Sequence, residues 1–271
     1  FKFTRGSWDL EELTDDLKPV ENRSLPMVDA SKLAQDERPV IELEVRKWGD
    51  QRPNSAQRPD LDPYYELKTS WNVKRLQVPG GGADSSRWPA GQRDLLVYLP
   101  PGYDDPANAQ VRYPVLYMQD GQNLFQQLPG VPAEWGADET ADALIKAKKM
   151  APVIIVGIPH LGAARAEEYS SFPLVQGAEP RASRYVQWLT GEVMPRVERA
   201  FRVSTAPADT GIGGASLGAL VAAEAVKTHP DRFGVLLLES MAGLGEQKPA
   251  LEHFKSVTRW PAKVYFGMGI N

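Results

Sequence analysis

The 271-residue chain has no cysteine, which excludes disulfide scaffolds and thiolate-bound metals. Histidine is scarce: His160, His229 and His253 are the whole supply. An imidazole base therefore has few candidates. No apolar run approaches the ~20 residues that span a bilayer, so no membrane association is expected. Charge of one sign is lacking too. The 31 basic and 35 acidic residues leave a net charge of −4, too balanced for a nucleic-acid footprint or a basic membrane patch. Metal-ligand motifs are missing, and neither metal nor cofactor is expected. The carboxylates Asp138, Glu139 and Asp142 read instead as a helix start favoured by the dipole. No internal repeat is found.

What is present suffices for a full-sized core: 42% of the residues are hydrophobic, enough for one large domain or one with a small companion. The 23 prolines and 23 glycines are unevenly spread. Residues 48–66, rich in proline and polar side chains, read as an exposed linker. Before it, Phe1–Trp8 and Val40–Val45 alternate apolar and polar residues, as half-buried strands do. Residues 1–47 are therefore expected to be a partial β-rich module, and 67–271 a larger domain.

In the larger domain, strand and helix patterns alternate. Strands are expected at Leu67–Val78, Arg93–Pro100, Pro114–Asp120, Pro152–Ile158, Gly234–Glu239 and Ala262–Gly267, with a further short strand leading into residue 216. Helices are expected at Trp135–Met150, at Arg181–Phe201 with a bend at Pro195, from Ser216 to His229, and near Glu246–Val257. Such alternation predicts an α/β fold, a three-layer sandwich around a mostly parallel sheet. Sites in such sheets lie at the carboxyl ends of the strands, where Asp120, Gln122, His160, Ser216 and Ser240 fall.

One segment is sharper than the rest. Gly214-Ala215-Ser216-Leu217-Gly218 fits G-x-S-x-G, set between a short strand of small residues and an Ala-rich helix. This is the pattern of a nucleophile elbow, in which a tight turn lifts a serine hydroxyl to the head of a helix. Ser216 is the candidate nucleophile. The backbone N–H of Leu217, at the helix start, has no helical acceptor and is a candidate oxyanion donor.

The chain from Leu67 onward resembles the esterase-D/enterochelin-esterase-like branch of the α/β-hydrolases. That branch includes feruloyl and acetylxylan esterases of carbohydrate esterase family 1 and is similar to mycolyltransferases. The resemblance rests on ordered blocks: Val97–Tyr103, Tyr113–Phe125, Glu134–Asp138, Val153–Ile158, Arg165–Tyr169, Gly213–Gly218 and His229–Gly234. Phe1–Trp8 with Glu21–Arg23 resembles the tail of an Ig-like, carbohydrate-binding-type module.

The resemblance implies a serine carboxylic-ester hydrolase acting on a polysaccharide-linked feruloyl or acetyl ester, or on another bulky ester. Its partners are then small-molecule or polysaccharide esters. A siderophore-ester hydrolase, an acyltransferase or a catalytically inactive binding module are the alternatives. A secreted or periplasmic location follows by analogy. The second oxyanion donor is implied to be the Gln122 backbone N–H. The triad is implied to run Ser, acid, His, with the acid after the strand at Val264–Gly269 and the His in a later loop. Neither is found before Asn271, so a protein longer at both ends is expected. Trp135 either lines an acyl pocket or packs at its helix start. His160 contacts substrate or caps its loop. Arg165 and Glu168 are expected to pair and hold the loop after His160. His253 reads as solvated. His229, roughly 20 Å from Ser216 at the far end of a helix rising ~1.5 Å per residue, reads as structural.

Overall fold

The structure, a computed structural model, describes residues 12–13, 47–48, 72–80, 92–126, 134–173, 179–242 and 248–267. The chain divides into two compact units, residues 1–60 with 270–271, and residues 61–269. In the first, β1 (Glu12–Leu13) pairs antiparallel with β2 (Lys47–Trp48). The strands expected at Phe1–Trp8 and Val40–Val45, the Ig-like reading, and the linker beyond Trp48 lie outside the described residues.

The second unit is built on seven strands: β3 (Val73–Pro79), β4 (Gln92–Tyr98), β5 (Val115–Gln119), β6 (Ile154–Ile158), β7 (Thr210–Ala215), β8 (Val235–Glu239) and β9 (Lys263–Gly267). Their order in the sheet is β3-β4-β6-β5-β7-β8-β9. β4 runs antiparallel to both its neighbours, and every other pairing is parallel. The carboxyl ends of β5 to β9 therefore share one edge. β5 and β6 are buried along almost their whole length, which is why they read as unbroken apolar runs instead of alternating ones.

The helices are α1 (Ala137–Lys146), α2 (Arg165–Tyr169), α3 (Ala182–Trp188), α4 (Met194–Ala200), α5 (Leu217–Thr228) and α6 (Lys248–Lys255). They form two layers. On one face, Tyr185, Val193, Val197 and Ala222 pack with Tyr117, Ile212 and Leu236. On the other, Ala141 of α1 packs with Tyr98, Met118, Leu124 and Ile155. The expected three-layer α/β sandwich with a mostly parallel sheet is thus the observed fold. α5 is buried from Gly218 to Val226, and all of its side chains there except Glu224 are small or apolar, as suits a helix in the interior.

The helix expected at Arg181–Phe201 is instead α3 and α4 joined by a π-helical turn at Leu189–Val193. The cause is Pro195, near the start of α4. A proline has no N–H to give and its ring crowds the carbonyl four residues back, so the preceding turn widens. Among the described residues, no helix is long and apolar enough to cross a membrane.

Candidate active site

Ser216 sits between the end of β7 and the start of α5 with φ 56° and ψ −119°. Only glycine adopts such a conformation freely, and a residue held in it stores about 1–3 kcal/mol of strain. The surroundings over-determine it. The Ser216 N–H donates to the Glu239 carbonyl at 3.0 Å, and the Ser216 carbonyl accepts from the amides of Ala219 and Ala242, each at 3.2 Å. The two motif glycines are required by proximity. A Cβ on Gly214 would lie 2.7 Å from the Gly218 carbonyl carbon, and one on Gly218 would lie 3.0 Å from Asp120 Oδ2. Strand and helix thus meet backbone to backbone, and the serine between them is partly exposed. Leu217 is the first residue of α5, where no helical carbonyl reaches the amide.

The loop after β5 is the second component. β5 is the neighbour of β7 in the sheet, with Met118 opposite Gly213. Asp120 is left-handed, with φ 59° and ψ 40°, and opens a 3₁₀ turn at Gly121–Asn123. That turn rests on the backbone of β6: a Cβ on Gly121 would lie 2.2 Å from the Gly157 carbonyl carbon. Within the turn, the Asn123 amide donates to the Asp120 carbonyl and the Leu124 amide to that of Gly121. The amide of Gln122 stands outside this pattern. The side chain of Gln122 accepts from the His160 N–H at 3.3 Å. Asp120 Oδ1 and Oδ2 each accept from Arg165, both at 2.7 Å. The Asp120 N–H donates to the Tyr169 hydroxyl at 3.3 Å.

His160 follows β6 on the same edge and is buried, with 8% of its surface exposed. Burial lowers its pKa to about 4, and the guanidinium groups of Arg165 and Arg93 push in the same direction against the opposing pull of Asp120. The ring is neutral at physiological pH, and so weak a base is a poor proton acceptor there. Its Nδ1 is buried without a hydrogen-bond partner.

The expected Arg165–Glu168 pair is replaced by two others. Arg165 binds Asp120, whereas the fully buried Glu168 accepts from Arg93 at 2.6 Å and from the Leu161 N–H at 3.2 Å. Arg93 also donates to the Pro159 carbonyl and lies over the Trp188 ring. Burial raises the pKa of Glu168, and Arg93 opposes that rise. These are long-range partners, which no local pattern in the sequence marks.

Trp135, just before α1, is 45% exposed. Its backbone N–H donates to the Asn123 carbonyl at 3.0 Å, which ties the main chain at Trp135 to the turn that carries Gln122. His229 caps the far end of α5, with Nδ1 3.0 Å from the Thr228 hydroxyl. His253 lies on α6, and its side chain is outside the described residues. Asp138 is buried, and burial raises its pKa to about 6. Among the described residues no cluster of His, Cys, Asp and Glu could hold a metal.

One carboxylate was not marked by the sequence reading. Glu239 ends β8 opposite Ala215, accepts from the Ser240 hydroxyl at 3.1 Å, and lies over Gly267 of β9. An acidic residue at a strand end beside the elbow is the signal that points to it.

A strained serine at a helix start, set against a left-handed turn from the adjoining strand, has the backbone pattern of a nucleophile elbow. Residues 86–260 match the Esterase family. The chain belongs to that family. Ester hydrolysis is the general chemistry the family assigns. Among its relatives, the protein YbbA of Bacillus subtilis is 25% identical over 186 residues, covering 66% of this chain and 69% of that protein. The Corynebacterium glutamicum protein Cgl0967/cg1104 is 28% identical over 181 residues, but the match takes in only 38% of its length. Among solved structures, siderophore hydrolase EstA from Aspergillus nidulans superposes with TM-score 0.55 at 19% identity, over 72% of this chain and 69% of that one. The IroE-like serine hydrolase of Shewanella oneidensis gives 0.50 at 24% identity, over 68% of this chain and 55% of that one. At these identities the two structures are evidence of fold. The chain thus spans about half the length of the Shewanella hydrolase and less of the Corynebacterium protein.

Proposed function

We propose that this protein hydrolyses a carboxylic ester through an acyl-enzyme on Ser216. The observation that carries the reading is the contact between the elbow and the turn: Asp120 Oδ2 lies against Gly218, two residues from Ser216. In this reading Ser216 Oγ attacks the ester carbonyl and gives up its proton to a base. The carbonyl oxygen becomes an oxyanion, held by the amides of Leu217 and Gln122. The alcohol leaves with a proton returned by the base, and water then releases the acid. Among the described residues, neither His160, whose basicity burial lowers, nor His229, at the opposite end of α5, is suited to be that base.

His160 is assigned to the substrate, not the proton: its backbone N–H donates to the Gln122 side chain, which keeps the residue beside that turn on the sheet edge. Trp135, exposed and with its backbone bonded to the turn, suits a flat or bulky group on the ester. Feruloyl or acetyl groups on polysaccharide are the leading substrate class, in keeping with a secreted or periplasmic protein. A siderophore ester is the second reading, favoured by the same aromatic surface. The test is steady-state hydrolysis of p-nitrophenyl acetate and methyl ferulate by the full protein and by Ser216→Ala. The variant is expected to lose about 10³-fold or more in kcat. Undiminished hydrolysis by the alanine protein removes Ser216 from the chemistry.

A further inference from the structure

We propose that Arg165 is a positioning residue for this site: by gripping Asp120 from α2, it holds the Gly121–Asn123 turn where the Gln122 amide faces the reacting carbonyl oxygen. The inference rests on the acyl-transfer reading above.

The starting point is the backbone of Asp120. Its φ of 59° is a left-handed conformation that glycine adopts without penalty. An aspartate there needs a reason and a restraint. The restraint is a two-pronged, charge-assisted bond: Arg165 Nε and Nη2 each donate to one carboxylate oxygen at 2.7 Å. This geometry fixes the plane of the carboxylate as well as its place. The same carboxylate abuts Gly218 in the first turn of α5. One side chain therefore sets the spacing between the turn and the elbow.

α2 makes the grip two-sided. Tyr169, fully buried, receives the Asp120 N–H at 3.3 Å. Glu168, also fully buried, holds Arg93, which in turn holds the carbonyl of Pro159 just past β6. β6 is the strand on which Gly121 rests. Consecutive side chains of α2 thus secure both the turn and its support.

A partly exposed ion pair contributes little to global stability; Arg165 and Asp120 are 26% and 20% exposed. Its value here is in placement, because a shift of about 1 Å at a reacting centre changes a rate about 10²-fold. Two readouts separate these roles in the full protein: steady-state kinetics and residue-resolved amide exchange. Arg165→Met is expected to lower kcat at least about tenfold with KM within about twofold, while Arg165→Lys recovers part of the loss. The amides of Asn123 and Leu124, which are hydrogen-bonded within the turn, are expected to exchange about tenfold faster in the methionine variant, with those of α5 unchanged. Asp120→Asn, which keeps the shape and removes the charge, is expected to do the same and serves if the methionine variant does not fold. Unchanged exchange at the turn, or faster exchange by one common factor throughout the chain, overturns the proposal. If the unmodified protein shows no Ser216-dependent turnover, the acyl-transfer reading fails by itself, and the exchange measurement still decides whether Arg165 holds the turn.

Discussion

The carboxyl edge of the sheet has two unlike halves. Around β5, β6 and β7, backbones approach too closely for any added side chain, and the charges of Arg93 and Glu168 are buried against each other. Toward β9 the packing opens, although the inward side chains of β8, Leu236 and Leu238, remain fully buried. Val264, Tyr265 and Phe266 are 46%, 59% and 46% exposed; successive side chains of a strand point to opposite faces, so both faces of β9 are open. Glu239 there is bonded to the hydroxyl of its neighbour Ser240 and is partly exposed. The half that would receive the ester carbonyl is built to a fixed geometry. Substitutions should therefore have large effects in the first half and small ones in the second.

The largest expected effect comes from separating the buried charges. Arg93→Met leaves Glu168 ionised in the interior or forces it to take up a proton. Breaking such a pair destabilises by about 3–5 kcal/mol, to be read from urea unfolding of the full protein. A loss below about 1 kcal/mol would break the contrast between the two halves.

His160 gives an intermediate effect. Its pKa is depressed to about 4 by burial, against about 6.5 in an unfolded chain. Between those values the unfolded state binds the proton and the folded state does not. Stability is thus fully present above pH 6.5 and falls as pH drops toward 4, by up to about 1.4 kcal/mol per pH unit. Unfolding curves across that window should steepen in pH for the unmodified protein and flatten for His160→Gln. Identical slopes would place His160 in a wetter site than its 8% exposure implies.

The smallest effect belongs to the open edge. Tyr265→Ser should change unfolding free energy by no more than about 0.5 kcal/mol, as exposed positions usually do. A larger change would show that β9 is covered in the working protein.

Much of the rigid half is legible in the sequence because its signals are local. The elbow declares itself in five consecutive residues, Gly214 to Gly218, where small side chains and a helix start must coincide. The alternation of apolar runs gives the sheet and its carboxyl edge, and so places Asp120 and His160 on it. What the sequence hides is non-local. Asp120 and Arg165 are 45 residues apart, and Arg93 and Glu168 are 75 apart. Nothing in the pattern of either segment says which charge meets which, so Arg165 is easily assigned to its near neighbour Glu168. The low basicity of His160 is hidden for the same reason, since it comes from burial by distant segments. The broken helix at Leu189–Val193 lies between these cases: Pro195 announces a disturbance, but not that the turn before it widens into a π-helical one.

The central claim is that the hydroxyl of Ser216 is the group that takes the acyl chain. Treating the full protein with a fluorophosphonate and mapping the adduct by tandem mass spectrometry tests it without knowledge of the natural ester. The account predicts one phosphonyl group per chain, on Ser216, abolished in Ser216→Ala. An adduct on a different hydroxyl, or ester turnover that persists with Ser216 fully phosphonylated, would contradict it.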